Sequence, residues 1–375
     1  MDMIIDHLHS NHLALMACTI ACRGWLPSSR SRLFHSLTLR QNTSQTFLRL
    51  LESPFTTIPP YVRSLRVFGS KHWQGLKSEW VDGTLPHLTC FVGVRSIWLS
   101  AVCWDDLGAE SRNALISFQQ VTQLSFFKTP FTFDSLVDLL CSYPLLEYIR
   151  FKEFWPRKSW DSTTKSLPAS LRHLDLGSFS KEVLMDSLVP CHSACAVDTV
   201  YLSSITVREI PPIAAFLRNL GHNMLHLRID LFTTWGVKIG VPILFASPSL
   251  NGVVSSEPSY AIIDLVHNDQ LRSIRLCDLI HDTETRSPDQ IAGILSRIVS
   301  DHMELVELAI CGPIDLIDWW SIAKVFAKPQ FAALSLIRIT VSGLTPQDVA
   351  GVVRKALPDC DARGILDFPT SFHSS

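Results

Sequence analysis

A short apolar pattern that recurs along the chain constrains the fold more than any other feature of this sequence. The pattern is apolar-x-x-apolar-x-apolar, and eleven copies of it occur. Their first positions are Phe34, Val62, Val94, Val121, Leu146, Leu171, Val197, Met224, Leu271, Leu305 and Leu334. Successive copies lie 25 to 34 residues apart, except for one gap of 47 residues that Leu250-x-x-Val253 divides as a decayed copy. A nearly constant step of this size predicts a repeat protein.

Each repeat is predicted to hold a strand followed by a helix. The last two apolar positions of the pattern alternate as in a half-buried strand. Between the strands the apolar spacing is helical, as over 133–140 and over 210–220, where prolines suit the first turn and Gly221 suits the C-terminal cap. The sequence therefore predicts an α/β fold over residues 34–375. We expect a leucine-rich-repeat-like solenoid, with a parallel inner sheet, outer helices and an atypical C-terminal cap.

Composition and charge narrow the function. Hydrophobic residues make up 47% of the chain and charged residues 18%, with a formal net charge of −2. This balance argues against a general nucleic-acid-binding or acidic-membrane-binding surface, because either needs a basic excess. No stretch is apolar for long enough to cross a bilayer, and acids stand where a secretory signal carries Lys or Arg. We therefore expect ten reduced cysteines and a cytoplasmic or nuclear location, with neither nucleic acid nor membrane as a partner.

Residues 1–33 are predicted to form a separate, all-helical segment. Met3 to Leu8 fit one short amphipathic helix, and Leu13 to Trp25 fit a second helix that Pro27 ends. Three stretches carry a family resemblance: Ile4-Ile5-Asp6-His7-Leu8-His9, residues 14–27 with Cys22-Arg23-Gly24-Trp25, and Ser31-Arg32-Leu33-Phe34. This segment resembles the F-box of basidiomycete fungal F-box proteins, although the Leu-Pro-x-Glu element that usually opens an F-box is missing. Residues 170–177, 216–221 and 361–366 extend the resemblance through the array.

The resemblance implies a substrate-recognition subunit of an SCF-type cullin–RING ubiquitin ligase. The N-terminal helices would bind a Skp-family adaptor, which links to the cullin scaffold, and the array would bind a target protein. The family pattern places adaptor contacts at Ile5, Leu8, Leu15, Cys18, Cys22 and Trp25. The alternative is a leucine-rich-repeat interaction scaffold without ligase activity, in which the F-box has decayed.

One row of side chains is predicted to point away from the core. It holds the residue between the last two apolar positions of each copy. These residues are Thr38, Arg66, Trp98, Ser125, Arg150, Asp175, Tyr201, Arg228, Arg275, Ala309 and Arg338. We expect its arginines, with Trp98 and Tyr201, to bind an acidic or phosphorylated target segment. The alternative is a solvated strand face whose arginine stems cover apolar neighbours.

Chemical motifs are weak throughout the sequence. It contains no Gly-x-Gly, no phosphate-binding loop, no His-Glu-x-x-His and no Gly-x-Ser-x-Gly, so we expect no catalytic residues and no cofactor. A zinc site could be imagined from Cys18 and Cys22 together with His7, His9 and His12. The two cysteines are better explained as packed thiols on a helix. Cys191-His192-x-x-Cys195 offers three ligands without a clear fourth, and we expect no metal there either.

Overall fold

The computed structural model describes most of the chain and divides it into two compact units. The described residues are 5, 7–8, 11–69, 79–153, 155–157, 167–177, 181, 184–185, 196–205, 209–230, 263–279 and 290–369. Unit 1 comprises Met1–Asp175 with Ser193–Ala196, and unit 2 comprises Leu176–His192 with Val197–Ser375. Both units are built from strand–helix repeats.

Unit 1 begins with helices and continues as parallel strands. Its helices are α1 (His12–Ala21), α2 (Leu26–Leu33), α3 (Gln41–Leu51), α4 (Glu79–Thr84), α5 (Ala109–Ile116) and α6 (Phe133–Cys141). Its strands are β1 (Ser36–Arg40), β2 (Ser64–Phe68), β3 (Ser96–Ser100), β4 (Gln123–Phe127), β5 (Pro130–Thr132), β6 (Tyr148–Lys152), β7 (Trp155–Arg157) and β8 (His173–Leu176). The sheet order is β1-β2-β3-β4-β6-β8, and β5 pairs with β7 in a separate parallel pair.

Unit 2 repeats the same plan. Its strands are β9 (Thr199–Leu202), β10 (His226–Asp230), β11 (Ser273–Leu279), β12 (Leu305–Ile310), β13 (Leu336–Val341) and β14 (Leu366–Asp367), paired in parallel in chain order. Its helices are α7 (Ile210–Leu220), α8 (Gln290–Ser296), α9 (Trp319–Phe326), α10 (Pro346–Ala356) and α11 (Pro358–Ala362). The predicted α/β leucine-rich-repeat-like class is confirmed: parallel strands joined through helical crossovers form an open sheet.

The three apolar positions of each repeat form the core. In the second repeat Val62, Leu65 and Val67 are all fully buried, and the same positions are buried in the later described repeats, except at the half-buried Leu305. Successive repeats are joined at the start of each strand, where two consecutive N–H groups donate to one carbonyl of the preceding repeat. For example, the amides of Arg95 and Ser96 both donate to the Arg63 carbonyl. The backbone polar groups of each turn are thereby satisfied by the neighbouring repeat.

Two helix predictions are confirmed. The helix predicted over 133–140 is α6, and the helix predicted over 210–220 is α7. Helix α7 has prolines in its first turn and ends before Gly221, whose φ of 50° suits a residue without a Cβ. A side chain from a later loop caps this helix end: the Asn268 amide donates to the carbonyls of Leu217 and Gly221.

The prediction that Pro27 ends a helix is wrong. Helix α1 ends at Ala21, a 3₁₀ turn covers Arg23–Trp25, and Pro27 lies in the first turn of α2. Proline suits that position because a first-turn residue has no intrahelical partner for its N–H. The decayed copy at Leu250-x-x-Val253 lies outside the described residues.

Candidate functional site: the central row and the outer face of α1

In each unit a row of side chains lies between the two buried residues of each strand, and we call these residues the central row. In unit 1 backbone pairing aligns Thr38, Arg66, Trp98, Ser125 and Arg150, and Asp175 holds the same position in β8. In unit 2 pairing aligns Tyr201, Arg228, Arg275, Glu307, Arg338 and Asp367. Neighbouring strands lie about 4.8 Å apart, so members on adjacent strands of one unit are near enough for their side chains to contact.

One member of the predicted row is wrong. Ala309 is fully buried, and Glu307 takes its place between Arg275 and Arg338. The core positions of this repeat are Met303, Val306 and Leu308, two residues earlier than the predicted frame. Both frames place apolar residues at all three positions, so the pattern alone could not distinguish them.

Four arginines of the row, Arg150, Arg228, Arg275 and Arg338, are paired with carboxylates of the same chain. Arg150 Nε lies 2.5 Å from Asp175 Oδ2, and Arg338 Nε lies 2.9 Å from Asp367 Oδ2. Arg275 Nε lies 3.4 Å from Glu307 Oε1. In the pairs of Arg150, Arg275 and Arg338 each guanidinium reaches across one strand spacing to the next repeat.

Arg228 is held by a small cluster in unit 2. Its Nε lies 3.4 Å from Asp230 Oδ1, and its guanidinium carbon lies 4.1 Å from the centroid of the Tyr201 ring. The Tyr201 hydroxyl also donates to Asp230. Desolvation, followed by the nearby Asp230 carboxylate, raises the pKa of the buried Cys277 thiol to about 12. That thiol is therefore protonated at neutral pH and serves packing rather than nucleophilic chemistry.

Unit 1 combines an ion pair with an aromatic cluster. The Arg66 guanidinium carbon lies 5.2 Å from the centroid of Trp98, which also contacts Phe68. Burial raises the pKa of Asp175, against the opposing influence of Arg150. Burial and the Asp175 carboxylate raise the pKa of Tyr148 to about 12, so its hydroxyl stays a donor to Asp175.

The structure places the seven predicted target-binding residues in the central row. Arg66 contacts Trp98 in unit 1, and Tyr201, Arg228 and Arg275 occupy consecutive strands in unit 2. Sequence reasoning gave no role to the acids that hold the arginines, which are Asp175, Asp230, Glu307 and Asp367. Over the described part of unit 2, Arg228, Arg275 and Arg338 are balanced by Asp230, Glu307 and Asp367. The row therefore offers ring faces and compensated charges instead of a bare positive strip.

The N-terminal helices expose a different apolar face from the predicted one. Ile5 and Leu15, two of the predicted adaptor contacts, are buried within the chain and are not exposed to a partner in this structure. Leu8, Cys18 and Trp25 are half-buried, and Cys22 is exposed.

The outer face of α1 instead carries Leu13, Met16 and Ile20, which are 79%, 53% and 86% exposed. Residues 13, 16 and 20 follow helical spacing, and a step of two residues turns the helix by about 200°, so this stripe lies opposite Leu15. We call these three residues the α1 outer face. A second apolar stripe on the same helix was the sequence signal that could have found it.

Metal and membrane sites are not evident in the described residues. Within these ranges no three His, Cys, Asp or Glu side chains come together in a metal-holding group. His9 and the Cys191-His192-x-x-Cys195 motif lie outside the described residues. Among the helices described, none has the length and apolar character needed to cross a bilayer.

Comparisons with known proteins find structural likeness only. No family model and no curated protein matches the chain. A leucine-rich-repeat protein from Legionella pneumophila, LegL7, aligns over 86% of this chain and 97% of its own at 18% identity, with a TM-score of 0.46. A Bacteroides fragilis protein aligns over 86% and 72% at 8% identity, with a TM-score of 0.36. A Leptospira interrogans leucine-rich-repeat protein aligns over 89% and 94% at 10% identity, with a TM-score of 0.20. These values are too low to bear on function.

Proposed function

We propose that this chain is a protein-interaction scaffold, and more specifically the substrate-recognition subunit of an SCF-type ubiquitin ligase. In this proposal a Skp-family adaptor docks on the N-terminal helices and a target protein binds the repeat array. The chain itself carries out no chemistry. It raises the effective concentration of the target next to the ligase that the adaptor and the cullin scaffold recruit.

The α1 outer face is the observation that carries the adaptor half of the proposal. Three large apolar side chains at i, i+3 and i+7 are exposed on one helix of ten residues. Such a stripe is the usual means by which a helix binds an apolar partner surface. The choice of a Skp-family adaptor as the proposed partner rests on the family resemblance of residues 1–33. The half-buried Cys18 and Trp25 remain proposed contacts at the edge of the α1 outer face, together with Leu8 and Cys22.

Target binding is proposed for the central row. Aromatic rings and arginines are the residue types that most often anchor protein interfaces. Because the acids of the row already compensate Arg150, Arg228, Arg275 and Arg338, we propose that the target segment presents alternating polar and apolar side chains. An acidic or phosphorylated segment would bind an arginine of the row by replacing the carboxylate that is now paired with that arginine.

Adaptor docking is tested by co-purification with a Skp-family adaptor. The double variant Leu13→Ser/Ile20→Ser removes two exposed side chains of the α1 outer face without touching the core. We expect it to lower adaptor recovery at least tenfold, because interface anchors commonly contribute 2 kcal/mol or more, roughly, when truncated.

The matched control is Leu50→Ser, which changes a leucine of α3 that is 53% exposed and lies outside the face. We expect this control to recover the adaptor as the unmodified chain does. Failure of the unmodified chain to recover adaptor, or equal recovery by all three proteins, would contradict the ligase proposal. The coarser scaffold proposal would then rest on target binding alone.

A further inference from the structure

Four strand starts in unit 1 form a pocket with a strongly basic lining. The pocket has a volume of about 550 Å³ and is lined by Arg32, His35, Arg63, Arg95, Ser96 and Thr122, among others. His35, Arg63, Arg95 and Thr122 each directly precede a strand, β1 to β4 in order. Parallel pairing therefore stacks them at one edge of the sheet at steps of about 4.8 Å. Arg32 joins them from the last turn of α2.

Two arginines of this basic pocket, Arg63 and Arg95, differ from the paired arginines of the central row. No Asp or Glu lines the pocket among the described residues. Over the same part of the chain, neither Arg63 nor Arg95 forms an ion pair. The equivalent pre-strand position of β11 shows the contrast, because Arg272 lies 3.8 Å from Glu304.

The pocket is also preorganised at Arg63. Its Nη1 donates to the carbonyls of Pro60 and Val62 at 2.9 and 3.0 Å. Gly93 makes room for this arrangement, since a Cβ at Gly93 would lie 2.2 Å from Nη1. The backbone amides at the strand starts already donate to carbonyls of preceding repeats. A ligand would therefore meet guanidinium, imidazole and hydroxyl groups rather than backbone N–H groups.

We propose that the basic pocket binds a small, multiply phosphorylated anion. Guanidinium groups bind phosphate through paired hydrogen bonds, and hydroxyl groups such as those of Ser96 and Thr122 complete its coordination. Cations at the starts of β2 and β3 and in the last turn of α2 match several phosphate groups better than one. The volume lies within the range of small-molecule sites, which is roughly 300–1,000 Å³. This proposal goes beyond adaptor and target binding and does not depend on either.

Burial and the positive charges of the pocket both act on the pKa of His35. Partial desolvation, followed by the charges of Arg32 and Arg63, lowers the pKa of His35 below its usual value of 6.5. A bound polyanion would offset both charges and favour the imidazolium. We therefore expect the pKa of His35 to rise when the ligand binds, which NMR titration of the imidazole signals measures directly.

Calorimetric titration at fixed ionic strength tests the proposal with three probes. Pyrophosphate and inositol hexakisphosphate represent free polyphosphates, and a doubly phosphorylated serine peptide represents the same group on a protein. We expect at least one probe to bind, and Arg95→Gln to weaken that binding about tenfold or more. Arg63→Gln should have a similar effect. Preference for the peptide or for the free polyphosphates identifies the source of the phosphate.

The matched control is Arg272→Gln, which removes one positive charge at the equivalent position of another repeat. We expect it to bind the probes like the unmodified chain. Arg95 is exposed and makes no hydrogen bond through its side chain among the described residues, so Arg95→Gln should fold normally. The proposal is overturned if no probe binds, if binding survives Arg95→Gln unchanged, or if Arg272→Gln weakens binding equally.

Discussion

At the scale of single residues, the central row depends on charges that the chain supplies to itself. Arg275 and Glu307 show this most clearly, because their side chains are only 20% and 13% exposed. A pair this far from solvent is screened less than a surface pair, and removing one partner leaves the other poorly solvated. These acids therefore hold the arginine side chains of the central row, which is the surface that we propose binds a target.

Charge reversal at Arg275 and Glu307 shows how much this ion pair contributes to the stability of the fold. We expect Arg275→Glu to lower the free energy of unfolding by about 1–3 kcal/mol, because two carboxylates then face each other. The swap Arg275→Glu/Glu307→Arg restores an opposite-charge pair and should recover most of that loss. Denaturant unfolding of the two variants measures both effects.

The same swap variant tests target binding once a target protein has been identified. It keeps an ion pair between positions 275 and 307 but exchanges the positions of the positive and the negative side chain. Loss of target capture by the folded swap variant supports direct contact with the central row. Equal destabilisation of the single variant and the swap would contradict the ion-pair account of this position.

At the scale of elements, the end of each strand is a constrained position. Ala101, Lys128 and Glu153 directly follow β3, β4 and β6, and all three have a φ between 50° and 53°. Gly69 directly follows β2, where its N–H donates to the Ser100 carbonyl at 2.7 Å. A Cβ at Gly69 would lie 2.0 Å from the backbone oxygen of Ala101. The neighbouring repeats can approach at this point only because residue 69 has no side chain.

Two glycine substitutions in unit 1 test that packing. Gly69→Ala should destabilise the protein by about 1–3 kcal/mol or more, since the obstructing atom belongs to the backbone and cannot rotate away. Gly83→Ala is the matched control, because Gly83 is exposed within α4 and a methyl group added there would meet nothing within 4 Å. It should stabilise the helix by up to roughly 1 kcal/mol.

Thermal unfolding compares the two alanine variants with the unmodified chain. Opposite shifts of the unfolding midpoint are expected from the packing described above. A similar small shift for both variants would show that β2 and β3 do not approach closely at residue 69.

The repeat pattern predicted most elements, and its failures have identifiable causes. Apolar periodicity located the strands because each core position is buried by the neighbouring repeat. It placed the repeat at Leu305 two residues too late. Val306, Leu308 and Ile310 are all apolar, so the pattern fits equally well when it starts at residue 303 or at residue 305. Pro27 was misassigned because proline both ends helices and begins them.

The candidate sites were harder to predict than the fold. Helix α1 has apolar residues on both faces, and only the structure shows that Leu15 points inward while Leu13 points outward. The ion pairs of the central row join residues such as Arg150 and Asp175, which are 25 positions apart. The basic pocket likewise joins residues from four repeats. The pattern placed these residues on neighbouring strands, but it gives no side-chain conformations, and these decide which groups pair.

At the scale of the whole molecule, charge is balanced overall and concentrated locally. The formal net charge is only −2, so no general field attracts a polyelectrolyte partner. We therefore propose that specific binding depends on local features, namely the α1 outer face, the central row and the basic pocket. These three surfaces differ in chemistry, being apolar, charge-paired aromatic and purely basic, and we expect them to bind different partners.

We propose that the N-terminal helices are an adaptor-docking module. Hydrogen exchange of the chain, measured with and without a Skp-family adaptor, tests it most directly because exchange reports protection segment by segment. We predict slower amide exchange over His12–Ala21 in the complex and unchanged exchange in β11 to β13 of the repeat array. Unchanged exchange over His12–Ala21 at saturating adaptor, or protection confined to the strands, would contradict the claim.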